Sequence, residues 1–434
     1  MKRYSISSDA DYAAITREIE RGADADPADS SQAERFSATA SIVAAVRDRG
    51  DEAVAEFTER FDKVSLDPSQ FEVGASEIDA AANQVSPAVR SALGRAHENI
   101  TAFHQKNLRQ SWEEISPDGS ILGQRLTPIE SVGLYVPGGT AFYPSSVLMN
   151  IVPARVAGVR EIIMVSPPSY QGGIHPLVLT AAKIAGASRV FRIGGAQAIA
   201  ALAYGTKTVP AVLKIAGPGN AYVTLAKRIV SIVCDIDKEA GPSEVVVLAD
   251  DRANPRQVAL ELLAQAEHDE DARAILVALS NGMADAVTAV METELKTLPR
   301  AKIIRSALAK QGTAYIVRDI DEACRITNLI APEHLSVQTE NPRAILDRIP
   351  DVGCAVLGGD TSVAVGDYYA GPNHILPTGR RARFSSPLTA EDFRKVTSII
   401  SFSHERMGVV ADDIIALANA EQLQAHARAV EIRK

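Results

Sequence analysis

The chain has 434 residues, of which 46% are hydrophobic and 23% are charged. This mix is typical of soluble globular proteins and excludes a largely disordered or fibrous chain. At about 150 residues per domain, the length suggests two or three domains. With 45 Lys and Arg against 54 Asp and Glu, the net charge is −9. An acidic surface repels phosphate backbones, so nucleic acid is not an expected partner.

The chain shows no signal for a membrane or for secretion. No run of about 18 apolar residues is present, which argues against a membrane-spanning helix. Residues 1–22 are polar and charged and lack the apolar core of a signal peptide. These features predict a cytoplasmic protein with no membrane partner. Cys234, Cys324 and Cys354 are scattered, without a C-x-x-C pair, and are predicted to be small buried residues.

In chain order, the pattern changes from helical to alternating. Residues 1–30 are predicted to form a helical segment, with an acidic, turn-rich linker at 24–31. Residues 32–107 repeat apolar side chains at steps of three and four, which is typical of helices. From about residue 131, short apolar runs alternate with helical stretches. The predicted strands are 131–136, 161–165, 189–193, 213–215, 244–248, 274–277, 314–317 and 354–357.

Alternation of strands and helices predicts an α/β fold with parallel sheets. In such sheets, ligands bind at the carboxyl ends of the strands. The last 45 or so residues, from about Thr389, show no strand pattern. Apolar residues between Ile399 and Leu417 suggest amphipathic helices. Their apolar stripe must be covered either by the chain's own core or by a second subunit.

Two glycine-rich junctions follow predicted strands, at residues 192–197 and 214–220, and each leads into a helical stretch. Small residues let a ligand approach the main chain, and the following helix offers free N–H groups to an anion. This arrangement suits the phosphates of a nucleotide. Neither junction matches G-x-G-x-x-G, so two tight turns remain an alternative interpretation.

Two further segments combine groups that bind metals or move protons. Gln265 and His268 are three residues apart on a helix predicted to begin near Pro255. An amide and an imidazole on one helix face can bind a metal ion, although a polar surface gives the same pattern. Asp367 and His374 lie in a Gly- and Pro-containing loop after the last predicted strand. Such loops carry binding sites, but a solvated turn is also possible.

The remaining candidates are acid–base groups. Glu333 and His334 are adjacent, and both side-chain types transfer protons near neutral pH once their pKa values are tuned. Ser243 precedes an apolar strand, and Glu421 and His426 lie five residues apart near the end of the chain. Four other histidines are predicted to be structural or solvated: His97, His104, His175 and His404.

Taken together, these segments resemble the histidinol dehydrogenase family. The resemblance is carried by a series of motifs in order between Gly133 and His426, and their conjunction is far more specific than any one of them. The motifs are Gly133–Gly139, Gly194–Ala200, Gly217–Val223, Ala240–Glu244, Gln265–His268, Ala331–Leu335, Gly366–Tyr368, Asn373–His374 and Ala382–Leu388.

The resemblance implies an NAD-dependent oxidation of L-histidinol to L-histidine through histidinaldehyde, the last steps of histidine biosynthesis. His334 matches the general base, and Glu333 matches the residue that activates water. The resemblance also implies one Zn²⁺ per subunit and a set of ligand contacts. The implied zinc ligands are Gln265, His268, Asp367 and His426; the implied NAD contacts are Tyr135, Gln197 and Asn220; and the implied substrate contacts are Ser243, Gln265, His268, Glu333, His334, Asp367, His374, Glu421 and His426.

The family also implies a domain map with two Rossmann-like domains, one inserted in the other, and a homodimer in which the C-terminal arm supplies His426 to the neighbouring subunit. The expected parts are an N-terminal helical segment at 1–30, a first domain at 31–137 and 244–385, an inserted domain at 138–243, and a helical arm at 386–434.

Alternatives from other classes remain open on the residues alone. A related zinc and NAD enzyme acting on another small polar alcohol, such as a sulfopropanediol, would share these motifs. Glu421 discriminates against it, because a carboxylate repels a sulfonate and suits a cationic amine. A zinc hydrolase using Glu333 is disfavoured, because it would not need the glycine-rich junctions and no H-E-x-x-H is present. A binding protein without activity is disfavoured, because every matched catalytic position retains a competent side chain. One departure from the family pattern is the charged stretch 237–239.

Overall fold

The computed structural model describes residues 1–21, 30–138, 142–238 and 241–434. The linker predicted at 24–31 lies almost wholly outside these ranges, as do Gly139 and Ala240 of two family motifs. In the described ranges, no helix is long and apolar enough to cross a membrane.

The strands of the described chain are β1 (Lys2–Ser5), β2 (Trp112–Ile115), β3 (Ile121–Pro128), β4 (Ser131–Tyr135), β5 (Glu161–Val165), β6 (Arg189–Phe191), β7 (Lys214–Ala216), β8 (Asp235–Ile236), β9 (Glu244–Ala249), β10 (Arg273–Ala278), β11 (Thr313–Ile316), β12 (His334–Gln338), β13 (Cys354–Leu357) and β14 (Arg394–Ser401).

The helices are α1 (Asp9–Arg21), α2 (Ser30–Arg49), α3 (Asp51–Asp62), α4 (Ala75–Gln84), α5 (Pro87–Lys106), α6 (Pro144–Ala157), α7 (Pro176–Ala185), α8 (Gly195–Tyr204), α9 (Ala221–Val230), α10 (Pro255–Ala266), α11 (Asn281–Glu294), α12 (Ala301–Lys310), α13 (Ile320–Ile330), α14 (Pro342–Leu346), α15 (Val363–Tyr368), α16 (His404–Ala420) and α17 (Gln424–Glu431).

A six-stranded parallel sheet has the order β1-β11-β10-β9-β12-β13. Its central strand β9 is buried along its whole length, because helices cover both faces. Val245 and Val247 pack with α10 and α11 on one face. Val246 and Leu248 pack with α1 and α13 on the other. Apart from the added edge strand β1, the order is that of a Rossmann-like sheet, with its switch point between β9 and β12.

A five-stranded parallel sheet has the order β6-β5-β4-β7-β8. This is again the Rossmann-like order, with the switch point between β4 and β7. Helices α2 and α3 pack with α8 on one face, and α4 to α7 cover the other. The predicted α/β class with two Rossmann-like parts is therefore confirmed.

A small antiparallel sheet, β14-β3-β2, joins the start of the C-terminal arm to residues 112–128. The expectation that the last 45 residues lack a strand was wrong, because β14 pairs with β3 along eight residues. The apolar residues assigned to a helix include Ile399 and Ile400. Together with Val396 and Thr397 they form a β-branched stretch, which favours a strand.

Sheet membership differs from the predicted domain map at two places. Strand β4 and helices α2 to α5 belong with the five-stranded sheet, whereas the map grouped 31–137 with 244–385. Strand β1, inside the segment expected to be helical, adds to the six-stranded sheet next to β11. The map came from the family resemblance, and the residues themselves gave no sign of which sheet β4 would join.

The helical prediction for residues 32–107 is confirmed by α2 to α5, and all eight predicted strands are present to within two residues at either end. Cys234 and Cys324 are buried as predicted, whereas Cys354 is half-buried. Six strands were not predicted, because they are short, polar or exposed: β1, β2, β3, β8, β12 and β14.

His104 is an unusual member of the core under the five-stranded sheet. It lies fully buried near the end of α5, and neither ring nitrogen has a hydrogen-bond partner among the described residues. Burial lowers the pKa of His104 from 6.5 to about 4, against the opposing charge of Asp392. The folded protein therefore holds this imidazole neutral over a pH range in which an exposed histidine becomes charged.

We predict that His104→Leu makes the protein less sensitive to acid. Between pH 6.5 and about 4, the unfolded chain binds a proton at His104 that the folded chain does not. The free energy of unfolding therefore falls as the pH falls, by up to about 1.4 kcal/mol per pH unit for this one group. Urea unfolding from pH 7 to 4 should show a shallower decline in the variant. His97→Leu, on the same helix, is the matched control, and an unchanged slope in His104→Leu would contradict the prediction.

Candidate active site

The acid–base candidates lie side by side at the amino ends of β9 and β12. His334 is the first residue of β12 and stands opposite Val245 of β9. Helix α13 ends at Ile330, and the next residue, Ala331, adopts a left-handed conformation with φ of 46° that turns the chain towards the strand. Glu333 and His334 are both buried at this edge. They lie at the opposite end of their sheet from the carboxyl ends expected for ligand binding.

The imidazole of His334 lies between two carboxylates. Its Nε2 is 3.4 Å from Asp367 Oδ1, and its Nδ1 is 3.7 Å from Glu333 Oε2. Burial alone would lower the pKa of His334, but the charges and hydrogen bonds of Glu333 and Asp367 raise it well above its ordinary value. Nδ1 is also 3.3 Å from the Glu244 carbonyl oxygen, which can only accept, so Nδ1 carries the proton in that bond.

Glu333 is held by its neighbour across the strands. The main-chain N–H of Glu244 donates to Glu333 Oε2 at 2.7 Å, and the N–H of Glu333 donates to Glu244 Oε1 at 3.2 Å. The buried carboxylate of Glu244 also pairs with Arg273 at 2.9 Å. The sequence motif Ala240–Glu244 contained this residue, but only Ser243 was assigned a role. Ser243 is half-buried just before β9.

Asp367 and His374 lie in contact, but Asp367 is helical and not in a loop as the sequence predicted. Asp367 lies in α15, and its main-chain oxygen is 2.9 Å from His374 Nδ1. The other ring nitrogen of His374 is 3.2 Å from the hydroxyl of Ser146, in the first turn of α6. Burial acts to raise the pKa of Asp367, but His334, His374 and His268 hold it below its ordinary value. Burial lowers the pKa of His374.

Gln265 and His268 lie at the end of α10. Gln265 is buried in the last turn, and its side-chain nitrogen has no hydrogen-bond partner in the described ranges. His268 lies just beyond the helix, with Nδ1 3.3 Å from the Gln265 carbonyl oxygen. The N–H of Val363, at the start of α15, donates to Glu261 of α10 at 3.0 Å, so the helix that carries Asp367 contacts the helix that ends near Gln265 and His268. Three of the four expected metal ligands thus lie on two contacting segments.

The structure does not bring the arm residues to this region. Glu421 follows α16 and His426 lies in α17; both are exposed, and neither side chain forms a hydrogen bond or ion pair with any described residue. Helix α17 packs against α16. Among the described residues, no group of three or more His, Cys, Asp and Glu side chains is arranged to hold a metal ion. The amide of Gln265 falls outside that set.

The expected cofactor contacts gather at the carboxyl ends of the five-stranded sheet, at its switch point. Tyr135 ends β4, and its hydroxyl accepts a hydrogen bond from the N–H of Gly195 at 3.2 Å. Gly217 follows β7 with φ of +112°, and a Cβ there would collide with the main-chain oxygen of Tyr135. This is the end of the sheet where the strand order predicts a ligand.

Several polar groups around Tyr135 are left without partners among the described residues. Gln197 is 1% exposed, and both its amide oxygen and its amide nitrogen are unpaired. One carboxylate oxygen of Asp62 is buried and unpaired, and burial raises the pKa of Asp62 to about 6. Buried polar groups normally find partners, so this cluster is poised for a polar ligand. No motif in the sequence pointed to Asp62, which ends α3.

Asn220 lies in the second glycine-rich junction and caps the amino end of α9. Its side-chain oxygen accepts hydrogen bonds from the N–H groups of Tyr222 and Val223, which leaves its amide nitrogen exposed. The charged stretch that departs from the family pattern has a role here. Asp237 forms a buried ion pair with Lys227 and accepts a hydrogen bond from the N–H of Gly217 at 2.9 Å.

Comparison with known proteins identifies the family to which the chain is similar. The histidinol dehydrogenase family model matches residues 26–434. The histidinol dehydrogenase of Heliobacterium mobile is 50% identical over 394 residues, covering 91% of this chain and 92% of that protein. That of Halalkalibacterium halodurans is 48% identical over 423 residues, covering 98% and 97%.

A solved structure agrees. Histidinol dehydrogenase from Elizabethkingia anophelis superposes with a TM-score of 0.92 at 33% identity and covers 100% of this chain and 98% of that one. With matching motifs, sequence and fold along nearly the whole length, the chain belongs to the histidinol dehydrogenase family.

Proposed function

We propose that this protein oxidises L-histidinol to L-histidine through histidinaldehyde and reduces two NAD molecules per histidinol. Membership of the family supports the substrate and the cofactor. The observation that carries the proposal is the buried Glu333–His334 pair beside the carboxylate of Asp367. Such a pair supplies the proton acceptors that two successive oxidations require.

The two residues have different parts in this chemistry. In the first step, His334 in its neutral form, with its proton on Nδ1, takes the proton of the substrate hydroxyl at Nε2 while the substrate carbon gives a hydride to NAD. In the second step, Glu333 takes a proton from the water that adds to the aldehyde, and the resulting hydrate anion gives a hydride to a second NAD and leaves as the acid. The Glu333 carboxylate keeps one oxygen for this task, because the hydrogen bond from Glu244 occupies the other.

The residues around Tyr135 fit NAD. The unpaired amide of Gln197, the free N–H groups at the start of α8 and the exposed amide of Asn220 are suited to phosphate and hydroxyl groups. When bound, NAD accepts the hydride. Tyr135 contributes a phenol that stays protonated, because burial raises its pKa to about 12.

The donor set at the end of α10 fits zinc, which prefers nitrogen and oxygen ligands of these types. Gln265, His268 and Asp367 would hold one ion per subunit, with the partner subunit's His426 as the fourth ligand. When bound, the metal orients the imidazole and amine of the substrate rather than activating water. Ser243, His374 and Glu421 complete the proposed substrate contacts.

Exposed apolar residues on the C-terminal arm support a homodimer. A single chain leaves these side chains in water, whereas an arm laid on a second copy would cover them. The same placement would carry Glu421 and His426 to the neighbouring site. The side chains are Val396, Ile400, Val409, Leu417 and Ile432.

We predict that Glu333→Gln uncouples the two oxidations. The zinc-loaded parent should form two NADH per histidinol. The variant should form one and release histidinaldehyde, because an amide cannot take the proton from water; loss of a general base slows a step by about 10²- to 10⁴-fold. NADH absorbance and trapping of the aldehyde with hydrazine measure the ratio. Glu340→Gln, an exposed carboxylate beyond the other end of β12, is the control.

Two results would contradict the proposal. If Glu333→Gln forms two NADH per histidinol at the parental rate, Glu333 is not the base that activates water. If the folded, zinc-loaded parent forms no NADH from histidinol, the proposed function is wrong, and sulfonated diols would then be tested as substrates.

We predict that two inactive variants restore each other's activity if the arm crosses between subunits. A mixed dimer of His426→Ala and Asp367→Asn contains one intact site, so random mixing of refolded chains should recover about a quarter of parental activity. Mixing Gln265→Ala with Asp367→Asn is the control, because those two ligands come from one chain and no site is repaired. Recovery in neither mixture would place His426 in its own subunit's site or outside the metal site.

We predict that Gly217→Ala weakens NAD binding. A Cβ at this position would meet the main-chain oxygen of Tyr135 in a conformation that side chains rarely adopt, so the loop must shift. Backbone strain of this kind corresponds to an affinity loss of about tenfold or more. Calorimetric titration with NAD measures it. Gly282→Ala in α11, where the nearest atom is 3.7 Å away, should bind NAD normally. Parental affinity in Gly217→Ala would count against this loop as the cofactor site.

A further inference from the structure

Glu244 is a buried carboxylate that touches the catalytic pair with both its main chain and its side chain. The side chain is 1% exposed. Its Oε1 accepts hydrogen bonds from the N–H of Glu333 at 3.2 Å and from the N–H of Gly379 at 3.1 Å. Its Oε2 accepts from Arg273 at 2.9 Å. One contact of this carboxylate is therefore with the main chain of Glu333, and the other two hold it in place from Arg273 and Gly379.

The main chain of Glu244 fixes the two proton-transfer groups directly. Its N–H donates to Glu333 Oε2, and its carbonyl oxygen accepts from His334 Nδ1. The first bond sets the direction of the carboxylate. The second keeps the Nδ1 proton in place and leaves Nε2 to exchange protons. A shift of Glu244 would therefore turn both groups.

The charge of Arg273 is the counterpart of the Glu244 carboxylate. Burial and the nearby charge of Glu333 raise the pKa of Glu244 to about 7, and Arg273 opposes this rise. The guanidinium is 34% exposed, so it reaches the carboxylate from the rim of the protein. A buried carboxylate with one ion-pair partner loses its anchor when that partner is removed.

We propose that Glu244, anchored by Arg273, is the positioning residue that sets the orientation of the Glu333 carboxylate and the His334 imidazole for proton transfer. This inference rests on the proposed function, because it assigns the purpose of the Glu244 contacts to that reaction. Glu244 does not itself touch the substrate in this assignment. Substitution of Glu244 should therefore lower kcat and leave the binding of substrate and metal largely intact.

The decisive comparison uses three variants of the full-length, zinc-loaded protein: Glu244→Gln, Arg273→Gln and the double variant. In Glu244→Gln, the amide oxygen can still accept from Glu333 and Gly379, but the NH₂ group faces the guanidinium of Arg273. In the double variant, the two amides can pair. Loss of such a supporting residue costs about 10- to 100-fold in activity. We expect kcat to fall by that factor in each single variant and to recover substantially in the double variant.

The split between kinetic constants separates positioning from general stability. KM for histidinol and zinc content should stay within about threefold of the parent, because ground-state contacts are retained. Glu322→Gln is the matched control. Glu322 is also fully buried and paired with an arginine, Arg318 at 2.8 Å, but it lies in α13 away from the catalytic pair. It should lower the unfolding temperature without lowering kcat.

A second readout does not depend on the substrate. The ¹⁵N resonances of the His334 side chain, identified by their loss in His334→Asn, should shift in Glu244→Gln and return towards the parental position in the double variant. If the parent fails to oxidise histidinol, these shifts still decide the role of Glu244, so the two failures are distinguishable. Parental kcat in Glu244→Gln, an equal loss of kcat in Glu322→Gln, or unchanged His334 resonances would overturn the inference.

Discussion

Hydrogen bonding between the parallel strands β9 and β12 is the constraint that positions Glu333 and His334 at the amino ends of these strands. The register sets His334 opposite Val245, so residues 244 and 333 meet where the two strands begin. Their main-chain and side-chain groups then bond reciprocally, at 2.7 and 3.2 Å. A one-residue slip would turn every side chain of the strand to the other face and break this arrangement.

The two sheets share a strand order, yet their opposite ends carry the site residues. The five-stranded sheet follows the usual rule, with Tyr135 and the glycine loops at the carboxyl ends near its switch point. In the six-stranded sheet, Glu333 lies at the amino end, because the left-handed Ala331 follows α13 and delivers the chain there. The contact between His374 and Ser146 joins this amino end to α6, which follows β4 of the other sheet.

The sequence predicted the α/β class, but it did not predict the surroundings of the candidate site residues. Apolar strands such as β9 were recognisable because both faces are buried. Strand β12 was not recognisable, because polar residues alternate with apolar ones along it: His334, Ser336 and Gln338. These polar side chains are buried by contacts with distant segments, which the local sequence does not show. The roles of Glu244 and Asp62 depend on contacts with distant segments, so no spacing could reveal them.

The charges of the site also bear on the class of substrate. Arg273 balances Glu244 from the rim, whereas the carboxylates of Glu333 and Asp367 share the imidazole of His334 between them. Even with His334 protonated, that trio carries a net negative charge in a buried setting, which is costly unless a cation joins it. A metal ion held by Asp367 would supply the missing charge. The choice between histidinol and a sulfonated alcohol then depends on Glu421, whose placement depends on the arm.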